Sequence, residues 1–493
     1  MGKLEEYFHP FRENIVGLRQ TFQSTYGPQR ILYSDWAASG RLYHPIEDRL
    51  LNAFGPYVGN THSESSATGT AMTIAYQEAR SIIKRHVNAG PDDILLTGGS
   101  GMTGLVNKFQ RILGLKAPQR LRAGIRLRDS ERPVVFVTHM EHHSNHTSWH
   151  ETIADVKVIP PDENGIVDLN ALREMLVQHR NRPLKIGSFT ACSNVTGVFT
   201  PYHQLARIIH EHGGFVFIDF AASASHVPIN MHPLDPAESL DAITFSPHKF
   251  LGGPGSSGVL IFNQNLYRNL APDDAGGGTV AWTNPWGGYR FIDDIEARED
   301  GGTPGVLQAF KAALAIQLKE SMGIDQIHRR EVEIVTRALK GLSEVPRVHV
   351  LAGNIDHRLA MLSFVVEGIH YNLMVRLLND RFGIQSRGGC SCAGTYGHYL
   401  LHVDMPHSRR ITDKIDRGDL SGKPGWVRLS FHPTSTNEEI DLCIFAVSEI
   451  VHNIARWKND YRYCPITNEF VSLHAGSHSD YEDRSRIRSW FTL

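Results

Sequence analysis

Short β-rich runs alternate with helical patterns through the middle of this 493-residue chain, and that alternation limits the fold more than any other feature. The runs are Pro133-Val-Val-Phe-Val137, Val156-Lys-Val-Ile159, Leu184-Lys-Ile-Gly-Ser-Phe189, Gly214-Phe-Val-Phe-Ile218 and Ser257-Gly-Val-Leu-Ile-Phe262. Between two of them Leu205, Ile208 and Ile209 sit at helical spacing, and Gly213 suits a helix C-cap. Strand, helix, strand in repeated order predicts an α/β chain: a mainly parallel sheet with helices on both faces. Such sheets bind ligands beyond the carboxyl ends of their strands. His142, Asn194, Asp219 and Lys249 each follow an apolar run by a few positions, which places them there.

Size and composition bound the rest. The chain exceeds the roughly 250–300 residues at which a single core stops growing, so two domains are expected. Residues 1–30 read as an N-terminal segment packing on the smaller domain, and 31–305 as a large cofactor-binding domain. Residues 306–493 read as a connector helix and a small C-terminal α+β domain. The connector pattern runs from about Leu307 to Lys319, and a polar surface insertion falls near 402–424. A Gly-rich passage from Gly276 to Gly288 breaks the alternation, and the aromatic, polar tail after about residue 457 matches no element. Hydrophobic content of 41% and charged content of 21% are ordinary for a soluble protein. A net charge of −2 without long charge runs argues against nucleic acid or a membrane surface as partner. The start lacks an apolar signal core, and no stretch of about 18 apolar residues occurs. Five cysteines make no disulfide framework in so long a chain, so a reducing, cytoplasmic setting is expected.

The densest chemistry lies in Thr244-Phe-Ser-Pro-His-Lys-Phe-Leu-Gly-Gly-Pro-Gly-Ser-Ser-Gly258, after the run Asp241-Ala-Ile-Thr-Phe245. A lysine that condenses with an aldehyde needs a firm strand end and a way to lose its proton. Ser246 and His248 can hold a phosphate, and the glycines let backbone approach a flat ligand. By itself such a lysine is more often a surface residue before a flexible loop. A pyridine ring withdraws electrons only while its nitrogen stays protonated, which requires a neighbouring carboxylate. Asp219, ending Phe215-Val-Phe-Ile-Asp219, suits that task, although a strand-end aspartate is commonly a turn former.

Thr97-Gly-Gly-Ser-Gly-Met-Thr-Gly104 follows the strand Asp93-Ile-Leu-Leu96 and opens a helical pattern, which favours a phosphate at the helix start. Tight packing explains such turns equally well, and the spacing fits neither a dinucleotide fingerprint nor a P-loop. Met140-Glu-His-His-Ser-Asn-His-Thr-Ser-Trp149 closes another strand. Its imidazoles can stack on a flat ring and carry protons. A metal site is the rival, but no His pair with an adjoining Glu base and no Cys pair accompanies them.

Together these motifs make the chain resemble the fold-type I, class V pyridoxal-phosphate enzymes. The likeness is to group II cysteine desulfurases, selenocysteine lyases and, more distantly, the N-terminal domains of molybdenum cofactor sulfurases. It runs from Tyr33-Ser-Asp-Trp-Ala-Ala-Ser39 to Trp426-Val-Arg-Leu-Ser430. The resemblance implies Lys249 as the imine lysine and Asp219 as partner of the pyridine nitrogen. His143 would stack on the ring, and Asn194 would stand near O3′. Ser100, Gly101, Met102, Ser246 and His248 would hold the phosphate. Thr303, in Asp-Gly-Gly-Thr-Pro, would reach the phosphate of a neighbouring subunit, implying a homodimer. One departure is Ala222, where family members usually carry Gln.

Arg387-Gly-Gly-Cys-Ser-Cys-Ala-Gly394 places Cys392 five positions after an arginine, the group II offset, while Cys390 and Cys392 resemble the Cys-x-Cys of the molybdenum cofactor sulfurases. A thiolate on a mobile Gly-rich loop near arginine and His398 could attack substrate sulfur. Free thiols are otherwise usually core residues. Arg428 matches the arginine that grips a substrate α-carboxylate, with Arg387 a second candidate and Ala38 in the same substrate region; a surface salt bridge is the plain alternative for either arginine. The expectation is a cofactor-dependent enzyme taking L-cysteine or selenocysteine to alanine, with Cys392 as sulfur acceptor, His143 catalytic and a sulfur-acceptor protein downstream. A C–S lyase releasing pyruvate, a class V aminotransferase or epimerase, and a cofactor-free or His-rich metal-binding protein remain alternatives.

Overall fold

The run Val134-Val-Phe-Val-Thr138 has no polar face, so a strand made from it must be covered on both sides. The computed structural model, which describes residues 2–61, 64–474 and 480–492, covers it on both. It is β2 of a seven-stranded sheet with β1 (Asp93–Gly98), β3 (Asp155–Ile159), β4 (Lys185–Thr190), β5 (Phe215–Asp219), β6 (Ala242–Phe245) and β7 (Gly258–Asn263). The spatial order is β1-β7-β6-β5-β4-β2-β3. The five strands β2 to β6 run parallel, and β7 is antiparallel to both of its neighbours. The α/β sheet expected from the alternation is the one observed, with each strand within two residues of its apolar run.

Alternate side chains of each strand feed two different cores, as the period of two requires. Val134 and Phe136 join one cluster with Val216, Ile218 and the helix residues Leu205, Ile208 and Ile209. Val135, Val137 and Phe217 join the other, with Leu105, Val106 and Phe109 of the helix Met102–Ile112. Helix Tyr202–Glu211 ends as its sequence predicts, with Gly213 at φ +70° and Gly214 N–H donating to Ile209 O at 3.0 Å. The parallel register pairs Thr190 with Asp219 and Asp219 with Thr244, so the carboxyl ends of three strands form one ledge.

A second, antiparallel sheet follows: β8 (Val348–Val350), β9 (Met361–Val366), β10 (Arg387–Gly389) and β11 (Trp426–Ser430), in the order β8-β9-β11-β10. It has its own core, with Ile334, Leu362, Phe364, Met374, Leu377, Val447 and Ile450. Helices Val306–Met322 and Ile324–Ser343 lead into it. The N-terminal helix Lys3–Glu13 belongs to both regions: Phe8 enters the large-sheet core, while Arg12 donates to Thr434 O and to Glu439. The chain then runs as a strap along the small sheet. Leu32–Tyr33 pair with Ile384–Gln385, and Asp35 bridges to Ser430.

The Gly-rich passage forms a hairpin, Val280–Thr283 with Tyr289–Phe291, and the polar stretch near 402–424 contains a helix, Met405–Asp416, with Ile411 its buried residue. The tail carries a further hairpin, Tyr461–Cys464 with Glu469–Ser472, anchored where Tyr461 joins the small core. Among the described residues no helix is long and apolar enough to cross a membrane.

Phe217 is fully buried at the centre of the sheet, stacked 5.5 Å from Phe109. Phe217→Ala should cost about 3–5 kcal/mol of stability, read as a lower urea midpoint by circular dichroism. A midpoint matching the parent would show that this core is not packed as described.

Candidate active site

A cavity of about 450 Å³ opens on the ledge of strand ends. Its walls come from the turn after β1 (Gly99–Gly104), from Thr190 and Asp219 at the ends of β4 and β5, and from Ser246, His248 and Lys249 after β6. His142, Cys192, Asn194 and Ala222 complete it. A volume of this size suits a small cofactor or metabolite.

One end is built for an anion. Helix Met102–Ile112 starts there without a side-chain cap from Gly101, and a helix start favours an anion. Met102 N–H donates to Ser246 Oγ at 3.0 Å, and His248 Nδ1 donates to Ser100 O at 2.6 Å. Both side chains are thereby aimed at the turn. A methyl group on Gly101 would lie 2.9 Å from His248 Cε1 and 3.4 Å from Ser246 Oγ, so only glycine keeps this cradle open.

The opposite end holds Asp219 and Lys249. Asp219 is almost fully buried and accepts from Ala221 N–H at 2.8 Å. Burial lifts its carboxyl to about 6, opposed by that hydrogen bond and by Lys249. Lys249 is open to the cavity yet walled by protein, and desolvation pulls its ammonium down to about 8. Asp219 and Asp35 resist that shift, while Arg428 and Arg387 reinforce it. The amine is therefore neutral in a useful fraction near physiological pH.

The imidazole that lines the cavity is His142; His143, expected to stack on the ring, is not among the lining residues. His142 Nδ1 accepts from Ser144 N–H at 3.1 Å and caps the helix His143–His150. Burial, then Lys249, lowers it to about 4, so the ring is neutral. His143 turns one residue around the helix start. Its Nε2 accepts from Gly394 N–H at 3.0 Å, and its own N–H donates to Cys392 O at 2.8 Å.

Those bonds also tie down the loop that carries Cys392. Ser391 and Cys392 adopt left-handed backbone, φ +49° and +57°, between β10 and the helix Gly394–Leu400. Asn194 Nδ2 donates to Ser391 O at 2.7 Å, and Trp426 Nε1 donates to Ser391 Oγ at 3.3 Å. His398 is engaged elsewhere, by Gly394 O and Ser408 Oγ, and does not serve the thiol. Cys392 is exposed, whereas Cys390 packs against the cluster of Met140, Tyr396 and Trp426.

Asn194 ties this loop to the cavity it lines. Its Oδ1 is buried without a hydrogen-bond partner, while its backbone O accepts from Arg428 NH1 at 2.8 Å. With Nδ2 committed to Ser391 O, the amide oxygen is left unpaired beside the cavity that the residue lines. Arg428 is buried and Arg387 is exposed, and Asp35 holds both. Ala38 and Thr303 do not line the cavity of their own chain; Ala38 lies on the strap, and Thr303 is exposed.

Sequence reasoning missed Asp35, Thr190 and Cys192. Thr190 and Cys192 follow the same apolar run as Asn194, a signal that could have included them. Cys192 is no nucleophile: burial drives its thiol far up, and it donates to Gly197 O. Among the described residues no group of three or more His, Cys, Asp or Glu is disposed to hold a metal ion. His146 and His150 instead hydrogen-bond each other at 3.2 Å. The donor set thus fits a flat, phosphorylated ring that bears a basic nitrogen and an aldehyde.

A family model described as aminotransferase class-V matches residues 32–443. A cysteine desulfurase from Synechococcus elongatus is 28% identical over 74% of this chain, which spans 55% of that protein's length. A probable cysteine desulfurase from Halobacterium salinarum is 27% identical over 86% of this chain and 92% of its own. Among solved structures, the apo cysteine desulfurase of Thermococcus onnurineus NA1 superposes with a TM-score of 0.71 at 22% identity, covering 90% of this chain and 98% of that one.

Brief exposure of the apoprotein to pyridoxal phosphate and borohydride, with mapping by mass spectrometry, should label Lys249 with a pH midpoint of about 8. In Asp219→Asn the midpoint should fall further, because the carboxylate holds it up. A midpoint near the ordinary lysine value of 10.5 would contradict the desolvation described.

Proposed function

The chain belongs to the aminotransferase class-V family, and on that footing we propose that it is a pyridoxal-phosphate-dependent cysteine desulfurase. The observation that carries this reading is Asn194. One residue lines the cavity, holds the loop of Cys392 through Ser391, and receives Arg428 on its carbonyl. Cofactor pocket, thiol and carboxylate grip are therefore one mechanical unit. The similar proteins named cysteine desulfurase support the same activity.

Ser100, Gly101, Met102, Ser246 and His248 would hold the phosphate, Asp219 the ring nitrogen and Asn194 the O3′ side. The ring face falls to His142. Ala222 offers no side-chain hydrogen bond where Gln is usual, which leaves that edge to Asn194 alone. When bound, the cofactor supplies an electron-withdrawing ring joined through its aldehyde carbon to an amine.

The chain's own residues do the remainder. Arg428, with Arg387, takes the substrate α-carboxylate and orients Cα. Lys249 Nζ, its ammonium brought down to about 8, removes the Cα proton and gives a proton back to Cα after the sulfur has left. The Cys392 thiolate then attacks the substrate sulfur: an S–S bond forms, the Cβ–S bond breaks, and its electron pair remains with the substrate carbon, which takes up a proton. L-cysteine and one thiol become L-alanine and one persulfide, with atoms and charge balanced. Because Cys392 is exposed, the persulfide is open to a sulfur-acceptor protein. Thr303, exposed and off its own cavity, suits a phosphate contact with a second subunit in a homodimer. A cytoplasmic setting agrees with five free cysteines.

Product analysis with L-cysteine and a reductant tests the proposal. The protein should form alanine and sulfide, and Cys392→Ala should lower alanine formation by roughly two orders of magnitude or more, as expected when a nucleophile is lost. Pyruvate and ammonia, or undiminished alanine from Cys392→Ala, would move the assignment to a C–S lyase.

A further inference from the structure

Glu141 is a buried carboxyl, 1% exposed, next in the chain to the cavity residue His142. Four donors converge on it. Oε1 accepts from Thr138 Oγ1 at 2.7 Å, from Thr138 N–H at 3.2 Å and from Thr190 N–H at 2.9 Å. Oε2 accepts from Asn145 Nδ2 at 2.7 Å. Thr138 Oγ1 itself accepts from Met140 N–H at 3.1 Å, so its own hydrogen goes to the carboxyl. Asn145 cannot turn its amide over, because its Oδ1 accepts from Ser188 Oγ at 2.6 Å and from Trp149 Nε1 at 3.3 Å. Burial pushes the Glu141 carboxyl up to about 8, opposed by the bonds from Asn145, Thr190 and Thr138, with Asp219 adding to the effect of burial. All four contacts present donors, so they fit the ionised form.

These bonds lead to two sides of the cavity. Thr190 ends β4, lines the cavity and stands beside Asp219 in the parallel register. On the other side, Asn145 N–H donates to His142 O at 2.9 Å and Ser144 N–H to His142 Nδ1 at 3.1 Å. The imidazole is thereby fixed to the helix start that Asn145 anchors. Glu141 acts as a strut between the ends of β2 and β4 and this helix, and the place of His142 over the ledge follows from its length. A buried polar network of this kind holds one geometry while every member is satisfied. Removing one acceptor leaves a buried donor unpaired, and the network must shift.

We propose that Glu141 is a positioning residue: bonded to Thr190 on one side and Asn145 on the other, it holds the His142 imidazole where it can lie against the cofactor ring. The inference rests on the reading of His142 as the ring-face residue and adds the group that places it.

A double-mutant cycle of Glu141→Gln and His142→Ala tests the proposal. It is read by pyridoxal phosphate affinity, in fluorescence titrations of the protein stripped of cofactor, and by visible circular dichroism of the reloaded protein. Glu141→Gln keeps the shape and turns a donor toward a donor, either at Asn145 or at Thr190. Each single variant should weaken cofactor binding roughly fivefold to tenfold and reduce the dichroic band. The double variant should bind cofactor within about twofold of His142→Ala, because Glu141 acts through that ring. Asn145→Ala, which cuts the helix end of the same strut, should give the same pattern and takes the place of Glu141→Gln if that variant does not fold. If the two losses multiply in the double variant, or if cutting the strut leaves affinity and dichroism at the parent's values, Glu141 is merely structural and this proposal falls, while the desulfurase reading stands. If His142→Ala matches the parent, the ring-face assignment is wrong and the proposal falls with it.

Discussion

Placing a lysine amine at the floor of a protein-walled cavity is the constraint on which the rest of this structure depends. A buried ammonium is unfavourable unless it sheds its proton or meets a carboxylate, and Lys249 does some of each. Burial lowers it to about 8, and Asp219 keeps it from falling further. Asp219 is in turn a strand-end residue set by register between Thr190 and Thr244. The parallel sheet therefore does more than supply a core: its carboxyl ledge sets how far the two charged groups stand apart.

Among the links that bring the small sheet to this ledge, two bear on the arginines. Asn194 reaches Ser391 and Arg428, and the strap lies along β11 with Asp35 between the arginines. The strap also touches the lysine segment itself, since Gly40 N–H donates to His248 O at 2.9 Å. A methyl group at Gly40 would fall 1.8 Å from Phe250 O, so the strap approaches this closely only with glycine there. The strap thus contacts both the backbone flanking Lys249 and the arginines proposed to hold carboxylate.

Much of this was legible in the chain itself. Parallel strands buried on both faces are continuous apolar runs, so β2, β4 and β5 were visible, and the rule that ligands sit past strand ends picked out His142, Asn194, Asp219 and Lys249. The resemblance to a family gave the stacking role to His143, whereas the residue lining the cavity is His142. Neighbouring residues at a helix start point about 100° apart, and only the capping bond from Ser144 to His142 decides which one faces the cavity. The clamped cysteine loop was read as mobile because its glycines are local, whereas its anchors, Asn194 and His143, lie about 200 residues or more away. Asp35 left no local signal for the same reason: its meaning comes from two arginines brought to it by cross-strand pairing. The tail hairpin was invisible because its anchor, Tyr461, finds Asp380 only in the folded small core.

The most direct measurement of the central claim is peptide mass spectrometry of the holoenzyme after a single turnover with L-cysteine, without reductant and with thiols trapped by alkylation. The account predicts one added sulfur atom on the peptide bearing Cys392, located at that residue by fragmentation and absent from Lys249→Ala. Sulfur found on Cys390 or Cys464 instead, or alanine released with no sulfur retained on the chain, would contradict it.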